Sequence, residues 1–158
     1  MSFFASHEFL GFLVSAKQAT YAGQSDLASV APVLPGSKQL EFAEGEFLYR
    51  DIYVGMFRFV GQEIVYASGQ PVWSMSYSGG LLQGTPQASA KAVYSFLRAA
   101  LRALPAEFPV RGPALLEAES LCYVCQHSGS IEAFQGHELI SETGLPIYEL
   151  HFSGGLLA

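Results

Sequence analysis

Charge is scarce in this sequence. Only 14% of its 158 residues are Asp, Glu, Lys or Arg, against roughly 25% in an average domain. Eight are basic and fourteen acidic, leaving a net charge of −6. Phosphate recognition needs clustered Lys and Arg, so eight scattered basic residues argue against nucleic acid as a direct partner. Long apolar runs are missing as well, and none approaches the roughly 18 residues of a membrane span. Met1 to Val14 is apolar but has no basic start and is interrupted by His7 and Glu8, which argues against a signal peptide. Two cysteines, Cys122 and Cys125, are too few for a disulfide scaffold. A reduced, cytoplasmic protein with no membrane partner is the expectation.

The motifs of common catalysis are absent too. There is no Gly-x-Ser-x-Gly elbow, no phosphate loop and no dinucleotide fingerprint. Cys122-Tyr-Val-Cys125 matches C-x-x-C, but thiols three apart on a strand face opposite ways and no second pair completes a tetrahedral site. The histidines are dispersed: His7 near a terminus, His127 and His137 at expected turns, His151 on the polar face of a strand. No catalytic set, metal or cofactor is expected from these residues.

What is present is a large apolar fraction and a repeat. Half of the residues are hydrophobic and 13% aromatic, which excludes disorder and suits one domain over 1–158. Gly61 to Leu82 aligns without a gap to Gly136 to Leu157, with nine identities in 22 positions. Gly61/Gly136, Glu63/Glu138, Gly69/Gly144, Pro71/Pro146 and the Ser-Gly-Gly-Leu-Leu runs are the identities. The expected fold is α+β, with two pseudo-twofold-related repeats, each a helix followed by antiparallel strands, sharing one core. Repeat one spans about 1–84 and repeat two about 85–158.

Apolar residues at helical spacing predict a helix from His7 to about Ala19, capped by Ser6. A second is predicted from Pro86 to Leu104, capped by Thr85. Strands are expected at Leu40 to Ala43 and Glu46 to Tyr53 around a Glu44-Gly45 turn, then at Phe57 to Val60, Glu63 to Ala67 and Val72 to Tyr77. In the second half they are expected at Leu121 to Gln126, Ile131 to Phe134, Glu138 to Ser141 and Ile147 to Phe152. Tyr21 to Ser37 and the Pro-rich Ala106 to Pro113 read as internal connections.

Period-two alternation puts Trp73, Met75 and Tyr77 on one face of their strand and Tyr148, Leu150 and Phe152 on one face of theirs. Phe47, Tyr49, Asp51 and Tyr53 share a face in the same way. A carboxylate between tyrosines on an apolar face must be hydrogen-bonded, paired with a cation such as Arg58, or waiting for one. Glu63 and Glu138 follow a Gly-x pair at equivalent places, where a carboxylate can accept backbone N–H groups from the neighbouring turn.

Several segments together resemble a known family. They include Phe12-Leu13 through Ala16-Lys17, Ala19-Thr20-Tyr21-Ala22, Tyr49-Arg50-Asp51, Gly61-Gln62-Glu63, Pro71-Val72-Trp73-Ser74-Met75 and Arg111-Gly112-Pro113. With Tyr123, Phe134, Gly136, Glu138 and Tyr148, they resemble the bacterial family catalogued as domain of unknown function 5680. Members occur alone or behind a helix-turn-helix module, so the resemblance implies a sensing or effector-binding role and no known reaction.

The functional expectation is a small-molecule-binding module with an aromatic, acidic cleft between the repeats. Tyr49, Tyr53, Trp73, Tyr77, Tyr123 and Tyr148 would line it, and Asp51 or Glu63 would supply negative charge for a small apolar or cationic ligand. The alternatives are an enzyme using Asp51 and Glu63 as acid and base, and a protein-interaction module forming a homodimer through a strand edge or apolar patch.

Overall fold

The computed structural model describes residues 6–20 and 26–157. Tyr21 and Ala22, and with them the start of the expected Tyr21 to Ser37 connection, lie outside the described residues. Helix α1 spans His7–Ala19, and the Ser6 side chain accepts a hydrogen bond from the Phe9 amide. It buries Phe9, Phe12, Leu13, Ala16 and Lys17. Helix α2 spans Ala90–Arg102 and follows a short 3-10 turn at Gln87–Ser89. Its start differs from expectation because Thr85 does not cap it; the Thr85 hydroxyl instead donates to the Ile147 carbonyl.

The nine strands are β1 (Ser29–Val30), β2 (Lys38–Glu44), β3 (Phe47–Gly55), β4 (Arg58–Ala67), β5 (Gln70–Leu81), β6 (Leu115–Ala118), β7 (Leu121–Ser130), β8 (Ala133–Glu142) and β9 (Leu145–Leu156). They form one antiparallel sheet in the order β1-β2-β3-β4-β5-β9-β8-β7-β6. This overturns the expected α+β pair of helix-plus-strand repeats. β5 and β9 hydrogen-bond to each other from Trp73↔Leu156 to Leu81↔Tyr148, so the two strand sets fuse edge to edge into one sheet. The helices pack against it without closing two separate units. α1 lies on β2 and β3, while α2 touches α1 and β7. The similar segments fall on β4–β5 and β8–β9, which are neighbouring hairpins of this sheet.

Several expected breaks are absent. Gly61 does not split a strand, since β4 runs straight through it, and β7 and β8 are longer than expected. His127 and His137 therefore sit within strands and not at turns. The β2–β3 hairpin does turn at Gly45, whose φ of +62° suits glycine. One sheet face is buried, carrying Tyr49, Trp73, Met75, Tyr123, Tyr148 and Leu150 among others. Glycines shape that face at two cross-strand positions. A Cβ on Gly61 would lie 2.3 Å from the Tyr77 hydroxyl, and one on Gly136 would lie 2.2 Å from the Phe152 ring. Each aromatic ring lies across the glycine of the neighbouring strand. No helix among the described residues is long and apolar enough to cross a membrane.

Candidate functional site

α1 places a lysine where its apolar stripe demands a core residue. Lys17 stands one turn beyond Leu13 on the buried side of the helix and is only 7% exposed. Its ammonium lies 2.8 Å from Glu63 Oε2 on β4, donates to the Val110 carbonyl and sits 5.9 Å from the centre of the Trp73 ring. The Lys17–Glu63 contact is a buried ion pair at hydrogen-bonding distance. Burial lowers the Lys17 pKa from the ordinary lysine range, and Glu63 opposes that shift.

Strand register builds the acid side. Asp51 on β3 lies directly opposite Glu63 on β4, and both are buried. The Tyr77 hydroxyl donates to Asp51 Oδ1 at 2.6 Å across the space left by Gly61. Asp51 Oδ2 is buried without a hydrogen-bond partner, and the buried Tyr49 hydroxyl lies beside Glu63. Burial first, then the facing Glu63 charge, push Asp51 up to about 7. The Tyr77 bond and the Lys17 and Arg111 charges pull the other way. Burial, together with the nearby Glu63 and Asp51 charges, also holds the Tyr49 phenol well above its ordinary range.

The second half carries a tighter arrangement. Glu138 on β8 is fully buried and is gripped through both oxygens by the Arg111 guanidinium. The Tyr123 hydroxyl donates to Glu138 at 2.6 Å and the Tyr148 hydroxyl at 2.8 Å. The Gly112 amide completes the set by donating to the Tyr123 oxygen at 3.1 Å. Charge-assisted bidentate pairing of this kind is the strong form of a buried ion pair. Burial and the Glu138 charge push the Cys125 thiol up to about 11, which keeps it protonated and unreactive at neutral pH. Glu63 and Glu138 therefore meet buried cations and tyrosines, and not the turn amides expected for them.

The Lys17 and Arg111 clusters adjoin along the chain, because Lys17 donates to the carbonyl of Val110, the residue before Arg111. Among the described residues, the buried charged side chains are Lys17, Arg111, Asp51, Glu63 and Glu138. Two cations face three carboxylates, and a proton on Asp51 makes the set neutral. Arg58, expected as a partner of Asp51, instead donates to the Leu81 carbonyl.

Of the residues expected to line a cleft, Tyr49, Asp51, Glu63, Trp73, Tyr77, Tyr123 and Tyr148 are buried in the core. Tyr53 lines a cavity of about 410 Å³ between α2 and the β3–β4 hairpin. Tyr77 borders a shallower concavity of about 640 Å³ on the sheet. Asp51 and Glu63 line neither. The α2 cavity is walled by Tyr53, Phe57, Phe59 and Tyr94, and Lys38, Lys91 and Arg98 also line it. Tyr94 is held by donating to the Phe57 carbonyl at 2.7 Å, and Phe59 packs edge-on against both Tyr53 and Tyr77. Sequence reasoning missed Lys17 and Arg111. A lysine on the apolar stripe of α1 was a readable signal, whereas an arginine in a Pro-rich connection was not.

A sequence profile for Domain of unknown function (DUF5680) matches residues 51–157. The chain belongs to this family. The matched region begins at Asp51 and takes in Glu63, Tyr77, Arg111, Tyr123, Glu138 and Tyr148. Lys17 and Tyr49 lie before it. No curated protein and no solved structure matches the chain significantly.

Proposed function

We propose that the chain is a small-molecule-binding domain of the sensor or effector type, with its ligand in the cavity between α2 and the β3–β4 hairpin. The aromatic-walled, cation-lined cavity carries this reading. Its volume of about 410 Å³ falls within the range of roughly 300–1,000 Å³ that small ligands occupy. Apolar walls with a few charged groups give affinity through burial and orientation through charge. Because Lys38, Lys91 and Arg98 line it without a carboxylate, the favoured ligand is a small apolar anion, such as an aromatic carboxylate. The charge is opposite to that expected for an acidic cleft, since Asp51 is bonded to Tyr77 and Glu63 paired with Lys17 inside the core.

A thermal-shift screen of aromatic carboxylates and lipophilic cations tests this. A ligand at 100 times its dissociation constant adds about 2.7 kcal/mol, several degrees for a domain of this size. Carboxylates are expected to raise the melting temperature of the parent and to lose most of that effect in Arg98→Gln. Stabilisation by cations alone, abolished in Asp51→Asn, would move the site to the carboxylate cluster. No stabilisation by any compound would remove the binding reading.

A further inference from the structure

The opposite face of the sheet carries polar side chains where the helix side carries the core. β8 and β9 run antiparallel with His137 directly opposite His151. Glu149 stands two residues before His151 on β9 and so projects from the same face. The two imidazoles stack with centroids 4.4 Å apart and planes 24° apart. Glu149 Oε2 approaches His137 Nε2 to 4.0 Å. One donor atom from each of the three residues lies within 4.8 Å of the other two.

We infer that His137, Glu149 and His151 bind a divalent transition-metal ion. Two imidazoles and one carboxylate form a donor set suited to Zn²⁺, Co²⁺, Ni²⁺ or Fe²⁺, while Mg²⁺ and Ca²⁺ prefer oxygen-rich sites. Metal–ligand bonds of about 2.0–2.1 Å place tetrahedral donors about 3.3 Å apart. The backbone register sets His137 opposite His151, so the proposed site requires only that these neighbouring side chains draw together from their present spacing. His137 Nε2 is itself a buried atom without a hydrogen-bond partner. A metal ion bound to the Nε2 lone pair satisfies that atom.

Three protein ligands leave a coordination position open, which is the pattern of metals that bind or activate a small molecule. His137 and His151 also line the concavity of about 640 Å³. Ser76, Ser78, Gln135 and Ser153 border the same space. Those hydroxyl and amide groups suit water or an oxygen-donor ligand on the metal. The site lies on the face of the sheet away from the α2 cavity, and it stands or falls independently of the binding reading above.

The test uses the full chain, free of any affinity tag and stripped of metal, titrated with Zn²⁺ by calorimetry and with Co²⁺ by absorption spectroscopy. One ion per chain is expected, with the intense visible bands of four- or five-coordinate Co²⁺. His151→Ala is expected to weaken binding at least about 100-fold and Glu149→Gln about 10-fold, with circular dichroism unchanged because these side chains are on the solvent side. His7→Gln, on α1 and outside the donor set, leaves binding intact. Absence of one-to-one binding overturns the inference. So does equal affinity in the parent and His151→Ala, which would mark the ion as a non-specific surface ligand.

Discussion

Below about pH 7, folded Asp51 holds a proton that the unfolded chain releases above about pH 4. Its folded pKa of about 7 stands above an ordinary value of 3.8, because burial and Glu63 disfavour the charged form. Between those two values the folded state binds more protons than the unfolded one, so stability falls as pH rises through the interval. The contribution is complete below about pH 4 and is lost above about pH 7. Asp51→Asn keeps an acceptor for Tyr77 and removes the titration. Urea unfolding at pH 5 and pH 8 is expected to show the parent losing on the order of 2–4 kcal/mol relative to this variant. A constant difference between the two proteins across that range would mean that Asp51 is ionised throughout. Arg111 is the other decisive residue. Removing it leaves fully buried Glu138 with two tyrosines and no cation, so Arg111→Ala is expected to cost about 3–5 kcal/mol. Glu138→Gln added to Arg111→Ala should recover part of that cost, which a double-mutant cycle measures.

Element-scale packing depends on strands that trade a side chain for a neighbour's ring. Gly61 on β4 makes room for Tyr77 on β5, and Tyr77 in turn holds Asp51 on β3. Gly61→Ala is expected to destabilise by about 2–3 kcal/mol, through overpacking and loss of the Tyr77–Asp51 bond. Tyr77→Phe removes the bond without the clash, so it should cost less than Gly61→Ala in the same denaturation assay. The alternation of β3, β5 and β9 was legible from side-chain periodicity, and α1 from its apolar stripe and Ser6 cap. β4 was not, because Gly61 looks like a strand break in one dimension. Its role is visible only once β5 lies beside it. His127 and His137 were misread for the same reason, being near glycines that continue their strands.

At the scale of the molecule, the open sheet sets a gradient of protection. β5 and β9 lie at its centre, paired on both sides, while β1 and β6 are short edges of two and four residues. Backbone amides at such edges open by local fluctuation, and those in the centre exchange only through larger unfolding. Hydrogen exchange is therefore expected to be slowest at Trp73 to Tyr77 and Leu150 to Phe152, and fastest at Ser29–Val30 and Leu115–Ala118. Comparable protection at β6 and β9 would require that the β6 edge be covered, as in a homodimer. The buried charges reinforce this order. Lys17 from α1 and Arg111 from the connection after α2 bind carboxylates on β4 and β8, tying both helical segments to the middle of the sheet.

The alternating faces, the first helix and the hairpin turn at Gly45 were legible in the sequence. Those features depend on neighbours a few residues away, and the periods of strand and helix encode them directly. Three-dimensional packing joined the strands into one sheet through β5 and β9 and set Lys17 against Glu63 and Arg111 against Glu138. It alone brought His137, Glu149 and His151 together. Each of these depends on which segments meet across dozens of residues. That choice is made by the shared burial of many apolar side chains, a collective quantity that no local pattern records.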